Sequence, residues 1–148
     1  MNIKIRNYEI NFFADFLHGV KIQGTKLSRM RTRIVRDLGT YLSEKLMPEL
    51  QIIINKYAEL DASGNPIMTD KGAIKWKPKF FDKAMEDMST LDEEFYYLEC
   101  SEYMKDAIIS IGEFILHNDE IELEGNAATF FDNWCIEFEK AIDYYAKK

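Results

Sequence analysis

Residues 25–57 read TKLSRMRTRIVRDLGTYLSEKLMPELQIIINKY, and this stretch decides the fold. Leu27, Met30, Ile34, Leu38, Tyr41 and Leu42 recur every three or four positions, and Leu46, Leu50, Ile53, Ile54 and Tyr57 continue the stripe. Apolar residues at that spacing share one face of a helix, because 3.6 residues complete a turn. A seam this long predicts one dominant helix able to line a bundle or a short coiled coil. Thr25 or Ser28 is its expected N-cap. Gly39 weakens the middle, since glycine costs about 1 kcal/mol relative to alanine in a helix interior. Pro48 lacks an amide donor and its ring crowds the carbonyl four residues earlier. A kink or break is therefore expected near Leu46 to Pro48, with helix on both sides.

Working outward, Ile3 and Ile5 alternate with Lys4 and Arg6, which predicts a short strand over residues 2–6. Asn7 reads as a cap for a helix from Tyr8 to His18, with Gly19 ending it through a positive φ. Downstream, Asp61 to Pro66 is dense in turn formers. Ile67-Met68 and Ala73 to Trp76 flank Thr69 to Gly72 as a small β-hairpin, an excursion of about residues 61–77. Pro78 opens a helix running to about Met88, with Phe80, Phe81, Ala84, Met85 and Met88 on one side. Phe95 to Leu98 is aromatic enough for a strand but lacks strict alternation. Ser101 caps a helix from Glu102 to about Leu116. Glu120 to Glu124 alternates cleanly and reads as a short strand. A last helix spans about Ala127 to Ala146, with Phe130, Phe131, Trp134, Phe138, Ile142 and Tyr145 on its apolar face. The expected fold class is mainly α (α+β): a helical bundle around one long kinked helix, with a small β-hairpin and short extra strands, in a single domain of residues 1–148.

The chain has 148 residues, 47% hydrophobic and 14% aromatic, enough to fill a core and to exclude global disorder. No run approaches the roughly 18 apolar residues of a membrane span. The first six residues lack the apolar segment of a secretion signal, so the expected location is the cytosol of the cell that makes the protein. Cys100 and Cys135 have no zinc spacing and read as small apolar residues.

Charge is the informative property. The net charge of −7 hides a split: residues 1–81 hold 14 Lys/Arg against 8 Asp/Glu, and residues 82–148 hold 5 against 18. Lys21, Lys26, Arg29, Arg31, Arg33 and Arg36 fall in sixteen residues free of acid. On a helix, Arg29, Arg33 and Arg36 share a face while Arg31 points elsewhere. They sit in the first turns, where the helix dipole disfavours positive charge, so a compensating partner is expected. Either ion pairs with the acidic half or an external partner would supply it. The opposite signal is Asp119-Glu120-Ile121-Glu122-Leu123-Glu124, whose acids (Asp119, Glu120, Glu122 and Glu124) either solvate an edge strand or present a phosphate-like surface to a basic groove. Lys26, Arg29, Arg31, Arg33 and Arg36 with Asp119, Glu120, Glu122 and Glu124 are therefore the candidate partner-binding residues.

Catalytic signatures are missing. His18 and His117 fall at predicted helix ends, where the dipole favours them, and neither has a metal-spaced neighbour. There is no GxSxG, Walker A, GxGxxG or CxxC. Neither a catalytic residue, a metal nor a cofactor is expected. Direct DNA binding fits poorly with a pI near 4.9 and no clear helix-turn-helix.

Leu17 to Gly24 followed by Ser28-Arg29-Met30-Arg31-Thr32-Arg33, then Tyr57-Ala58-Glu59 with Asp61 and Gly64-Asn65-Pro66, and Trp134-Cys135 with Phe138-Glu139, carry a resemblance. They resemble an uncharacterised (domain of unknown function) family of small phage and prophage proteins of Gram-positive bacteria. The resemblance implies origin and no chemistry: a phage product acting in the host cytoplasm or carried in the virion. The expected role is an accessory protein that engages a host protein, as an inhibitor of a host defence or nucleic-acid-processing system. The alternative is a tail or assembly component that oligomerises through the long helix.

Overall fold

The computed structural model describes residues 1–148. The chain is mainly helical with one small antiparallel sheet, and it divides into two compact units, residues 1–40 with 95–148 and residues 41–94.

In the first unit, β1 (Asn2–Arg6) pairs antiparallel with β2 (Phe95–Glu99), Ile3 opposite Leu98 and Ile5 opposite Tyr96. Ile3, Ile5, Tyr96 and Leu98 are all buried, so the alternation of both strands fixes which face is covered. Phe95 to Leu98, undecided from sequence, is a strand because β1 supplies its partner. The outer side of β1 is met by a side chain: the Lys4 N–H donates to Glu137 Oε2 at 2.9 Å.

Helices α1 (Ile10–Gly19), α2 (Thr25–Tyr41), α5 (Lys105–Leu116) and α6 (Gly125–Ala146) complete this unit. An aromatic ladder joins α1 to α6: Phe13 and Phe16 lie 5.1 and 5.6 Å from Trp134, and Phe16 lies 5.5 Å from Phe131. Met30, Ile34 and Leu38 of α2 are buried as the stripe predicts. At Gly112 of α5, a Cβ would stand 2.9 Å from Ile142 Cδ1 and 3.1 Å from Phe138 Cδ1, so glycine permits the close α5–α6 crossing.

Three local expectations are corrected. Asn7 does not cap α1; it lies inside a 3₁₀ turn (Asn7–Glu9) that leads into the helix. Gly19 is the last helical residue, and the chain leaves through extended Val20, so no positive φ is used there. Ser101 does act as a cap, its Oγ accepting from the Met104 N–H, but the turn it caps precedes α5, which starts at Lys105.

Glu9 is a buried acid in this unit. Its Oε2 accepts from the Arg6 N–H at 3.4 Å, while Oε1 and the equally buried Trp134 Nε1 close no well-aligned hydrogen bond. Burial pushes the Glu9 carboxyl up, outweighing the easing effect of Arg6, Trp134 and Asn133. The folded chain therefore holds this proton more tightly than the unfolded chain does. Its contribution to stability is whole below the ordinary carboxyl value of 4.5 and declines as pH rises through the raised value. The stability of Glu9→Gln minus that of wild type should accordingly grow from about pH 4 to pH 8. Urea midpoints across that range measure it; a flat difference would mean that the carboxyl is not desolvated.

In the second unit, the helical backbone passes through a π segment (Leu42–Leu46) into α3 (Met47–Tyr57). Of the kink or break expected near Leu46 to Pro48, a break is absent, since Leu46 and Met47 keep helical dihedrals; the irregularity is the π segment, with helix on both sides as expected. The π segment is the structural answer to Pro48, since widening the ladder accommodates a residue that has no N–H to give and a ring that needs room. Pro78 opens a 3₁₀ turn (Pro78–Phe80) into α4 (Phe81–Glu93), whose buried residues are Ala84 and Leu91. Phe81 and Met85, expected on the covered side, are exposed. Tyr57 Oη donates to Asp87 Oδ2 at 2.8 Å, and this bond holds the Asp87 carboxyl below its usual range.

The predicted hairpin is part of a larger device. The Glu59 N–H donates to the Lys75 carbonyl, Lys75 to Ile67 and Ile67 to Glu59, at 2.8–2.9 Å. Bridges Ala58–Trp76, Leu60–Pro66 and Met68–Ile74 accompany them. Three short segments thus each pair with the other two and close a ring. The Asp61 side chain accepts from Ser63 and Asn65 N–H groups to form one turn, and Gly64 and Gly72 take positive φ in the two tips.

Candidate partner-binding surfaces

Helix α2 carries the basic cluster, and its members have separate roles. Arg31 Nη1 donates to the carbonyls of Leu17 and Val20, at 3.4 and 3.2 Å, and so satisfies acceptors at the end of α1. Arg33 Nη1 donates to the Tyr103 carbonyl at 2.9 Å, and its guanidinium lies 4.6 Å from the centre of the Tyr103 ring. Lys26, Arg29 and Arg36 are exposed. The chain's ion pairs are Lys75–Glu59, Lys83 with Glu86 and Asp87, Lys105–Glu102, His117–Glu113 and Lys140–Glu137, so none involves the α2 cluster. Of the two compensations expected, ion pairs with the acidic half are not formed: Arg31 and Arg33 are engaged by backbone carbonyl oxygens, and the other three cations face solvent.

The acidic segment is not a strand. Residues 119–124 are irregular, with the Glu120 N–H held by Asn118 Oδ1 at 3.0 Å. The alternation has another use: Ile121 and Leu123 turn into a groove of about 920 Å³, and Glu120 and Glu122 line it with them. Phe12 and Phe16 of α1, Leu27 of α2 and Phe114 of α5 supply the other large apolar side chains of the lining. Asp15 adds a third carboxylate, and Lys21 is the one cation in the lining. Asp119 and Glu124 are exposed beside it. The groove is held open from beneath. Phe12 keeps 37% of its surface exposed while resting against Phe130, ring centres 5.5 Å apart, and Phe16 is pinned by Phe131 and Trp134.

A second, smaller recess of about 270 Å³ lies beside Arg33, Arg36, Asp37, Thr40 and Tyr103. Tyr103 is 70% exposed. Behind it Tyr96 Oη donates to Asp37 Oδ2 at 2.6 Å, and burial with that bond raises the phenol well above its ordinary value. The tyrosine is thus a locked structural donor.

Sequence patterning found Glu120 and Glu122 in the groove and Arg33 and Arg36 in the recess, but missed Asp15, Asp37 and Glu99, and with them Phe12, Phe16, Phe114 and Tyr103. The helical spacing of these aromatics reads as core, and only tertiary placement distinguishes a groove wall from an interior. Cys100 is buried and Cys135 half-buried, and burial raises both thiols, so they stay protonated. His18 lies in the last turn of α1, and His117 follows α5 with Nε2 3.0 Å from Glu113 Oε2. No helix is long and apolar enough to cross a membrane. Set against family models, curated proteins and solved structures, the chain matches none of them.

Proposed function

We propose that this chain is a phage accessory protein that binds a host protein in the host cytoplasm, with a component of a defence or nucleic-acid-processing system as the class of target. The observation that carries this reading is charge left unneutralised within one unit. Lys26, Arg29 and Arg36 on α2 form no ion pair with an acid, and Glu120, Glu122 and Glu124 form none with a base. Charge that adds little to the fold is free to steer and select a partner. The resemblance of residues 17–33 and 134–139 to small phage proteins supports the origin.

Capture from host lysate tests it, with wild type, a Lys26→Glu/Arg29→Glu/Arg36→Glu variant and a Glu120→Lys/Glu122→Lys/Glu124→Lys variant side by side. A host protein retained by wild type and lost at least about tenfold in one of the variants is expected. Nothing retained, or retention indifferent to both variants, would refute it. A second reading, a phage structural component that oligomerises through the long helix, is favoured by Ile52 and Met47 on α3, 64% and 54% exposed. Capture of untagged copies of the chain itself in the same experiment would favour it.

A further inference from the structure

We infer that the groove between the end of α1, the start of α2 and residues 118–124 is a docking slot for a cationic amphipathic helix of the partner. The inference rests on the binding-protein reading and names the partner's recognised element. Its floor is built from large apolar side chains fixed by the aromatic ladder behind them, so the slot is shaped before anything binds. Its rim has three carboxylates, Asp15, Glu120 and Glu122, against Lys21 alone, and none of the three is used in an ion pair.

The occupant follows from that chemistry. Rim carboxylates exposed to water attract Lys or Arg from a distance without holding a small ligand in one orientation, which takes buried convergent polar groups. An apolar floor offers little to unpaired peptide groups, so an occupant with its backbone hydrogen bonds already made fits best. A helix with apolar residues at i, i+3, i+4 and i+7 and lysines or arginines flanking them meets both demands. The irregular 119–124 segment gives the slot its selectivity: its two apolar side chains join the floor and its acids line the same wall.

Fluorescence anisotropy with labelled peptides on the full chain tests the assignment. The probe is a helical Leu/Lys peptide with leucines at the four positions above. Its comparators are a Leu/Glu peptide of the same pattern, a Ser/Lys peptide of the same charge, and a strand-forming peptide of alternating Val and Lys. Saturable one-to-one binding of Leu/Lys alone is expected. It should weaken about tenfold in Glu120→Lys/Glu122→Lys and again in Leu123→Asp, a loop substitution whose folding is checked by circular dichroism. No saturable Leu/Lys binding, or binding unchanged in both variants, would overturn the slot. Equal binding of Ser/Lys would reduce it to charge adhesion, and tighter binding of Val/Lys would replace the helix by an added strand. Should Leu/Lys fail while a host protein is still captured and then lost on α2 charge reversal, the slot falls and the binding-protein reading stands. Should Leu/Lys bind as expected while no host protein is captured, the slot stands and that reading falls.

Discussion

Replacing Trp134 by alanine should destabilise the first unit by about 4 kcal/mol, the usual cost of truncating a large aromatic in a closed interior. Trp134 is 1% exposed and touches Phe13, Phe16 and Phe131, so its removal empties the point where α1 meets α6. The neighbours cannot collapse into the space, because Phe16 is also held by Phe131 and Phe13 is fully buried. A change of about 4 kcal/mol is a large part of what a domain has in hand. Hydrogen exchange of the α1, α6, β1 and β2 amides should therefore accelerate roughly a thousandfold, by the factor of ten per 1.4 kcal/mol. Acceleration under tenfold would mean that the ladder does not organise this unit.

Gly112→Leu should be nearly as damaging, at about 3 kcal/mol, through the opposite fault of overpacking. Even a methyl group at this position stands 2.9 Å from Ile142 Cδ1 and 3.1 Å from Phe138 Cδ1, and Phe138 has no exposed surface into which to retreat. The two helices must separate or Phe138 must leave its rotamer. Gly39 is the matched control. It lies in α2 with no neighbour within 4 Å of the place a Cβ would take and no positive φ, so Gly39→Ala should raise stability by about 1 kcal/mol. Urea denaturation of the two variants beside wild type gives opposite signs if the close α5–α6 crossing is real, and equal signs if it is not.

Periodicity made the helices legible, since Met30, Ile34, Leu38, Trp134 and Phe138 are buried where their spacing places them. It could not tell β2 from a loop, because a strand of mixed aromatics is decided by whether a partner edge exists. It misread Glu120 to Glu124, because alternation of residue type does not by itself establish backbone pairing; here residues 120–123 all line a groove without a strand partner. Pro48 showed that the ladder must change near it but not how, and a π segment satisfies the same constraint without interrupting the helix. The basic cluster was legible as a cluster. That Arg31 and Arg33 are engaged by carbonyl oxygens while Lys26, Arg29 and Arg36 are not depends on contacts fourteen and seventy residues distant in sequence.

The three mutually paired segments at Glu59, Ile67 and Lys75 have a consequence for behaviour at high concentration. An open hairpin of this length offers a bare row of amides and carbonyls on which other chains can stack. Closing it on itself engages the amides of Glu59, Ile67 and Lys75, so a chain stacking beside exposed Ile67 and Met68 would first have to displace bonds already made.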